Sequence, residues 1–171
     1  MKHLKQKLKN GRGMTLVEMT AAAGVLALLG LMLHTGLMMA QNSYNKMTGE
    51  AESQLLTSTL ADLLSNELRY ARDVETDPDG ALERYTSVNY GRNTTLSLDE
   101  DRHLEANHRQ MLSGGAYGNG AYWIEAFHIT YDEGAGLFHV ELEVAGRYVG
   151  SQKITFSVRC LNGAGGKGAS A

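Results

Sequence analysis

Met19-Thr-Ala-Ala-Ala-Gly-Val-Leu-Ala-Leu-Leu-Gly-Leu-Met-Leu-His-Thr-Gly-Leu-Met-Met-Ala40 is the stretch on which the reading of this chain turns. It holds 22 mostly apolar residues, and from Met19 to Asn45 there is no Lys, Arg, Asp or Glu. A membrane-spanning helix needs about 20 such residues. A soluble core helix of this length would show a polar face at 3.6-residue spacing, and here the polar side chains are only Thr20, His34 and Thr35. The spacing therefore predicts a span rather than a buried helix.

The flanks give that span a direction. Lys2, Lys5, Lys7, Lys9 and Arg12 precede it with no acid among the first 13 residues, and Lys46 stands just after it. The cationic side stays in the cytoplasm, so the N-terminus is expected inside and the C-terminus outside. The rest of the chain carries eleven Lys/Arg against nineteen Asp/Glu, a balance of −8. An acidic body of this kind argues against a nucleic-acid coat, and no nucleic-acid site is expected. A secretory signal fits poorly, because the apolar run is too long and Met38-Met39-Ala40 puts a bulky Met where a small residue is needed. A lipoprotein signal needs a cysteine after the run, and the one cysteine is Cys160.

The junction reads Gly11-Arg12-Gly13-Met14-Thr15-Leu16-Val17-Glu18-Met19. A carboxylate inside a bilayer costs about 2.5–3.5 kcal/mol, so Glu18 is a functional candidate unless it lies at headgroup depth and faces water. A basic leader, a glycine, Met-Thr-Leu-Val-Glu and about twenty apolar residues together resemble the class III signal of type IV prepilins and type II secretion pseudopilins. The resemblance covers roughly residues 7–45. It implies that a membrane prepilin peptidase cuts after Gly13 and methylates the new N-terminus at Met14. It also implies that Glu18, the fifth residue of the mature chain, serves subunit contact during assembly. Phe is the commonest first mature residue in that family and Met a variant. The family's frequent helix-kinking proline is missing, with Thr35 at the matching place.

The fold that follows is α+β: a long N-terminal helix, transmembrane in its first half and amphipathic in its second, packed on a C-terminal antiparallel sheet. Leu56, Leu60, Leu63, Leu64, Leu68 and Ala71 keep to one helical stripe, with Asp62, Glu67, Arg69 and Arg72 mainly on other faces. One helix is expected from about Thr15 to Arg72. Asp77-Pro78-Asp79-Gly80 closes the helical region with turn residues. Strands are expected at Tyr85–Tyr90, Thr94–Leu98, His103–Ala106, Gln110–Leu112, Tyr122–Tyr131, Leu137–Val144 and Gln152–Cys160. Phe138, Val140, Leu142 and Val144 alternate with His139, Glu141 and Glu143, so one sheet face should pack on the leucine stripe. The domains read as a leader at 1–13, a transmembrane and assembly helix at 14–42, a pilin-like head at 43–161 and a flexible tail at 162–171.

Chemistry is hard to find in this head. Gly114-Gly115-Ala116-Tyr117-Gly118-Asn119-Gly120 lacks the Lys-Ser/Thr of a phosphate loop and reads as a flexible connection. His103, His108, His128 and His139 lack metal-ligand spacing. Asp99-Glu100-Asp101 reads as a solvated turn, with a calcium contact as the alternative, and Cys160 as a small packing residue, with an intermolecular disulfide as the lesser option. No catalytic residue, metal or cofactor is expected, and the chain is not read as an enzyme. The resemblance implies a major or minor subunit of a type IV pilus, competence pilus or secretion filament. Its partners would be the peptidase, other pilin or pseudopilin subunits, an assembly platform protein with its ATPase, and membrane lipid. The rival reading is a signal-anchored extracytoplasmic binding domain that never enters a filament.

Overall fold

The computed structural model describes residues 14–162; the expected leader at 1–13, Gly13 included, and the tail from 163 onward lie outside the described residues. Among the described residues the chain forms α1 (Leu16–Arg69), β1 (Arg72–Thr76), β2 (Leu82–Ser87), β3 (Gly91–Thr94), β4 (Leu96–Leu98), β5 (Leu104–Ala106) and β6 (Arg109–Gln110). A short 3-10 helix (Gly114–Tyr117) follows, then β7 (Tyr122–Asp132), β8 (Leu137–Gly146) and β9 (Val149–Arg159). The strands form three antiparallel meanders, β1-β2-β3, β4-β5-β6 and β7-β8-β9. The layout is α+β, with the long N-terminal helix packed against the C-terminal three-stranded sheet. By contacts the chain divides into two compact units, Met1–Tyr44 and Asn45–Ala171.

In the second unit the expected leucine stripe is the core. Leu60, Leu64, Leu68 and Ala71 are fully buried and Leu56 nearly so, in one cluster with Ile124, Phe138, Val140, Leu142, Val144 and Val158. The β8 alternation holds: Phe138, Val140, Leu142 and Val144 face in, while His139 is exposed. Val140 sits opposite Ile129 on β7 and Phe156 on β9, so the middle strand sets the register of both neighbours. Gly49 brings the helix close to the sheet. A Cβ there would lie 2.9 Å from the Val149 side chain and 3.6 Å from the Tyr122 hydroxyl, and only a glycine leaves that room.

Several expectations need correction. The helix stops at Arg69, not Arg72, where the segment Cys160–Asn162 takes the carbonyls of Arg69 and of the two residues after it. The Leu161 amide donates to the Arg69 carbonyl at 2.8 Å, the Asn162 side chain to that of Tyr70 at 3.0 Å, and the Cys160 thiol to that of Ala71 at 3.3 Å. Arg72 then enters β1, pairing with Thr86 in a bulged ladder that carries no period-2 pattern. The expected strand Thr94–Leu98 is two strands in different sheets: β3 pairs with β2, and β4 pairs with β5. β6 covers Arg109–Gln110 rather than Gln110–Leu112. The glycine-rich segment is no plain loop, since Tyr117 is fully buried and its hydroxyl accepts the Leu104 amide at 3.0 Å.

Glu67 departs most from its expected place. It is buried, and its carboxylate accepts hydrogen bonds from the Tyr85 hydroxyl at 3.1 Å, the Asn89 amide at 2.8 Å and the Ser87 hydroxyl. One helix carboxylate thus gathers three donors from β2 and the turn after it. Removing it leaves those donors without an acceptor, at about 1–3 kcal/mol. Glu67→Ala is therefore expected to lower the stability of the head by that amount. Glu67→Gln, which keeps one acceptor oxygen, should cost less. Thermal melts of the full-length variants, followed by circular dichroism, check the order.

Candidate functional site

The sequence directs attention first to Met14 and Glu18. Met14 is exposed, and the helix begins two residues later. Thr15 is the N-cap residue. Its backbone amide donates to Glu18 Oε2 at 2.9 Å, its hydroxyl donates to the same oxygen at 3.0 Å, and its Oγ1 in turn accepts the Glu18 amide at 3.3 Å. This reciprocal pair is a capping box, which satisfies amides that no helical carbonyl can reach. Glu18 Oε1 makes no hydrogen bond among the described residues. The Thr15-Leu-Val-Glu18 spacing ahead of an apolar run was the signal for it in the sequence; attention to the glutamate alone left Thr15 without a role.

Past the cap, every large apolar side chain from Leu16 to Met39 is exposed, Leu16 by 81%. The two threonines in this stretch bond back into the helix, Thr20 to the Val17 carbonyl and Thr35 to those of Leu31 and Met32. Their hydroxyls therefore need no water. Among the described residues one helix, α1, is long and apolar enough to cross a membrane. An apolar surface of this extent calls for lipid or other protein to cover it. Gly13, the expected cleavage residue, lies outside the described residues.

The head offers two further places. A groove of about 310 Å³ runs beside Glu52, Leu55, Leu56 and Thr59 of α1, facing Gly115, Ala116, Gly118 and Tyr122. Tyr122 donates its hydroxyl to Glu52 Oε2 at 2.7 Å. Desolvation of the phenol and the adjoining Glu52 carboxylate push its pKa up to about 12. A second cleft, about 470 Å³, lies between Glu100–His103 and Asn119–Trp123. Asp99 holds its rim: one oxygen accepts the His103 amide and the other the Gln110 side chain, both at 2.8 Å. Partial burial works to raise the Asp99 pKa, but these hydrogen bonds and neighbouring His103 outweigh it and hold the carboxyl below its ordinary value.

Elsewhere the histidines behave as a solvated surface would. His139 is exposed, with Nδ1 2.8 Å from the Ser157 hydroxyl across the strand pair. No third group completes a catalytic arrangement there among the described residues. Nor is any group of three or more His, Cys, Asp or Glu among them arranged to hold a metal ion. Cys160 is buried.

Fold and N-terminal geometry define a class: an α+β chain whose long helix opens with a capped, exposed, apolar stretch. No protein-family model, curated protein or solved structure matches this chain.

The Tyr122 bond to Glu52 gives a pH dependence with a definite sign. Because the folded-state pKa is raised, the bond stabilises the head fully below the ordinary tyrosine pKa of about 10. That contribution is lost as pH rises through about 12. Tyr122→Phe should therefore lie below the native chain in stability at neutral pH and converge with it on the alkaline limb. Denaturant melts across that range, paired with tyrosinate absorbance, test this.

Proposed function

We propose that this chain is a pilin-like subunit, major or minor, of a type IV pilus-like or type II secretion filament. It is inserted in the cytoplasmic membrane with its N-terminus inside and its head outside, processed after Gly13, and polymerised through its N-terminal helix. The observation that carries this reading is the capped start of α1: a carboxylate fixed one turn into a helix whose first stretch, Leu16 to Ala40, is apolar and exposed, with Oε1 unengaged. The α+β head that follows on the same helix supports it. So does the basic segment before Gly13.

The chemistry of processing fits these residues. A glycine at the cut site presents no side chain to the peptidase groove. Removing the leader takes away five positive charges that would resist leaving the cytoplasm. It also creates an amine on Met14, while the Thr15 amide and hydroxyl that hold Glu18 Oε2 remain. Oε1 is then available to the Met14 amine of a neighbouring subunit. Pairing of the two charges offsets the cost of enclosing each in an apolar bundle. The partners are the prepilin peptidase, other pilin or pseudopilin subunits, the assembly platform protein with its ATPase, and membrane lipid.

Intact-mass analysis from the native membrane is expected to give a chain starting at Met14 with one N-terminal methyl group. Gly13→Val should leave the precursor uncut. A start at Met1, or near Gln41, overturns the assignment in favour of a signal-anchored binding domain.

Glu18 has two duties that substitution separates. Glutamine also serves in a capping box, so Glu18→Gln keeps the cap and loses the charge. Glu18→Ala loses both. Each variant should insert and be cleaved, yet reach filaments poorly, because a neighbour's unpaired amine costs about 1–3 kcal/mol or more. The readout is the ratio of sheared filament protein to membrane pool. Native incorporation of Glu18→Gln would mean that Glu18 acts as a helix cap alone.

A further inference from the structure

The glycine-rich segment ahead of β7 plays no part in the N-terminal site, and one pair within it is placed for chemistry of its own. The chain holds three Asn-Gly pairs, Asn10-Gly11, Asn119-Gly120 and Asn162-Gly163. Asparagine is thermolabile, and a glycine after it puts no Cβ beside the backbone nitrogen that attacks the carboxamide. Whether that attack proceeds depends on what holds the two reacting groups. Asn119 and Gly120 are both exposed. The Asn119 side chain makes no hydrogen bond among the described residues. The Gly120 amide donates to no acceptor among them, although its neighbours do: the Asn119 amide donates to the Gly114 carbonyl and the Ala121 amide to that of Gly118, both at 3.3 Å. A Cβ on Gly120 would meet nothing within 4 Å, so the carboxamide and the nitrogen can turn toward each other without displacing a neighbour. Asn119 also sits at φ +52, a sparsely populated backbone state.

The other asparagines are held or shielded. Asn162 gives its side-chain amide to the Tyr70 carbonyl at 3.0 Å. Asn89 gives its own to Glu67 at 2.8 Å, and the Asn107 side chain accepts the Thr95 amide at 3.0 Å. Asn42, Asn45 and Asn66 lie within α1, where the following amide is committed to a helical carbonyl. Asn93 is exposed, but the β-branched Thr94 follows it and crowds the nitrogen. Asn10 lies outside the described residues.

We propose that Asn119 is a site of spontaneous deamidation in the folded chain, converted to aspartate and isoaspartate. The Gly120 nitrogen gives up its proton to solvent and attacks Asn119 Cγ. A nitrogen–carbon bond forms, the Cγ–Nδ2 bond breaks, and Nδ2 takes a proton and leaves as ammonia. One water then opens the succinimide. Breaking the new bond gives aspartate; breaking the original peptide bond gives isoaspartate, with one more methylene carbon in the backbone. Either product adds a negative charge to the cleft whose walls already carry the exposed Glu100 and Asp101. Isoaspartate also lengthens the turn between the buried Tyr117 and β7. Nothing in this depends on filament assembly, so the two readings stand or fall separately.

The full chain, held in lipid nanodiscs, is aged in mildly alkaline buffer and its peptides are mapped by mass. Synthetic peptides spanning 115–125 and 158–168 give the unrestrained rates. Replacement of NH2 by OH is expected at Asn119 at close to the rate of its own peptide. A protein isoaspartate methyltransferase, which labels isoaspartate and not aspartate, should mark part of the product. Asn162 should convert roughly tenfold more slowly than its peptide, because its side chain must first leave Tyr70. Conversion of Asn119 slowed roughly tenfold or more against its peptide would show that the fold protects it. That result overturns the proposal, as does conversion of Asn162 in the folded chain as fast as that of Asn119.

Discussion

Burial of the Leu56–Leu60–Leu64–Leu68 stripe against β7-β8-β9 is the contact on which the head depends. Each of these leucines contributes about 1.5–3 kcal/mol on removal from water. The three meanders are small, and three strands need a hydrophobic partner to be stable. Phe138, Val140, Leu142 and Val144 supply the matching row, and β8, as the middle strand, fixes the register of both flanking strands. Polar contacts then select one arrangement among those that burial alone would permit. Glu67 ties the helix to β2, and the Leu161 amide takes the carbonyl of the helix's last residue, Arg69. Tyr122 settles between Gly49 and Gly146, where a Cβ on Gly146 would lie 2.6 Å from its ring.

The same helix poses the opposite problem in its first 30 or so residues. There the apolar side chains have no protein to face among the described residues. Helical hydrogen bonding satisfies the backbone from within, and Thr20 and Thr35 satisfy their own hydroxyls. What remains unsatisfied in an apolar medium is the helix start, with its free amides. The capping box answers that need with a charged side chain. A carboxylate is also favoured at a helix N-terminus by the macrodipole. Glu18 therefore has a reason to exist within a single chain, before any neighbour is invoked. That is why the glutamine substitution, and not alanine alone, bears on assembly.

Much of this was legible in the sequence, and the legible parts share a cause. The apolar run from Met19 to Ala40, the leucine stripe and the β8 alternation are long patterns, each imposed by one continuous surface. Where a local pattern was missing, the reading failed for physical reasons. Nothing near Arg69 resembles a helix stop, because the stop comes from Leu161 and Asn162, some ninety residues downstream. β1 shows no alternation because it is a bulged edge strand with only Val74 half-buried. Glu67 read only as a residue off the leucine stripe because its three donors lie 18 to 22 residues away. Tyr117 was hidden inside a glycine-rich segment whose composition suggests a plain loop.

The second cleft was illegible for a related reason. His103, Asp101 and Trp123 are ordinary residues in sequence, with no motif spacing between them. They meet because Arg102 adopts a left-handed backbone and bonds to Glu125, while the Ile124 amide donates to the Arg102 carbonyl at 3.0 Å. That pair of contacts ties a tight turn to the start of β7, and burial of Tyr117 beneath it draws the imidazole inward. A left-handed non-glycine residue costs roughly 1–3 kcal/mol unless its surroundings hold it. Part of that cost recurs at Asn107 and His108, in the next turn of the same meander. Among the described residues three of the six left-handed non-glycine residues thus fall in the turns of the β4-β5-β6 sheet, whose inward Leu96, Leu98 and Leu104 pack into the same core as the leucine stripe. That core fixes the meander's inward side chains, and only exposed turn residues such as Glu100, Asp101 and His108 can vary without disturbing it.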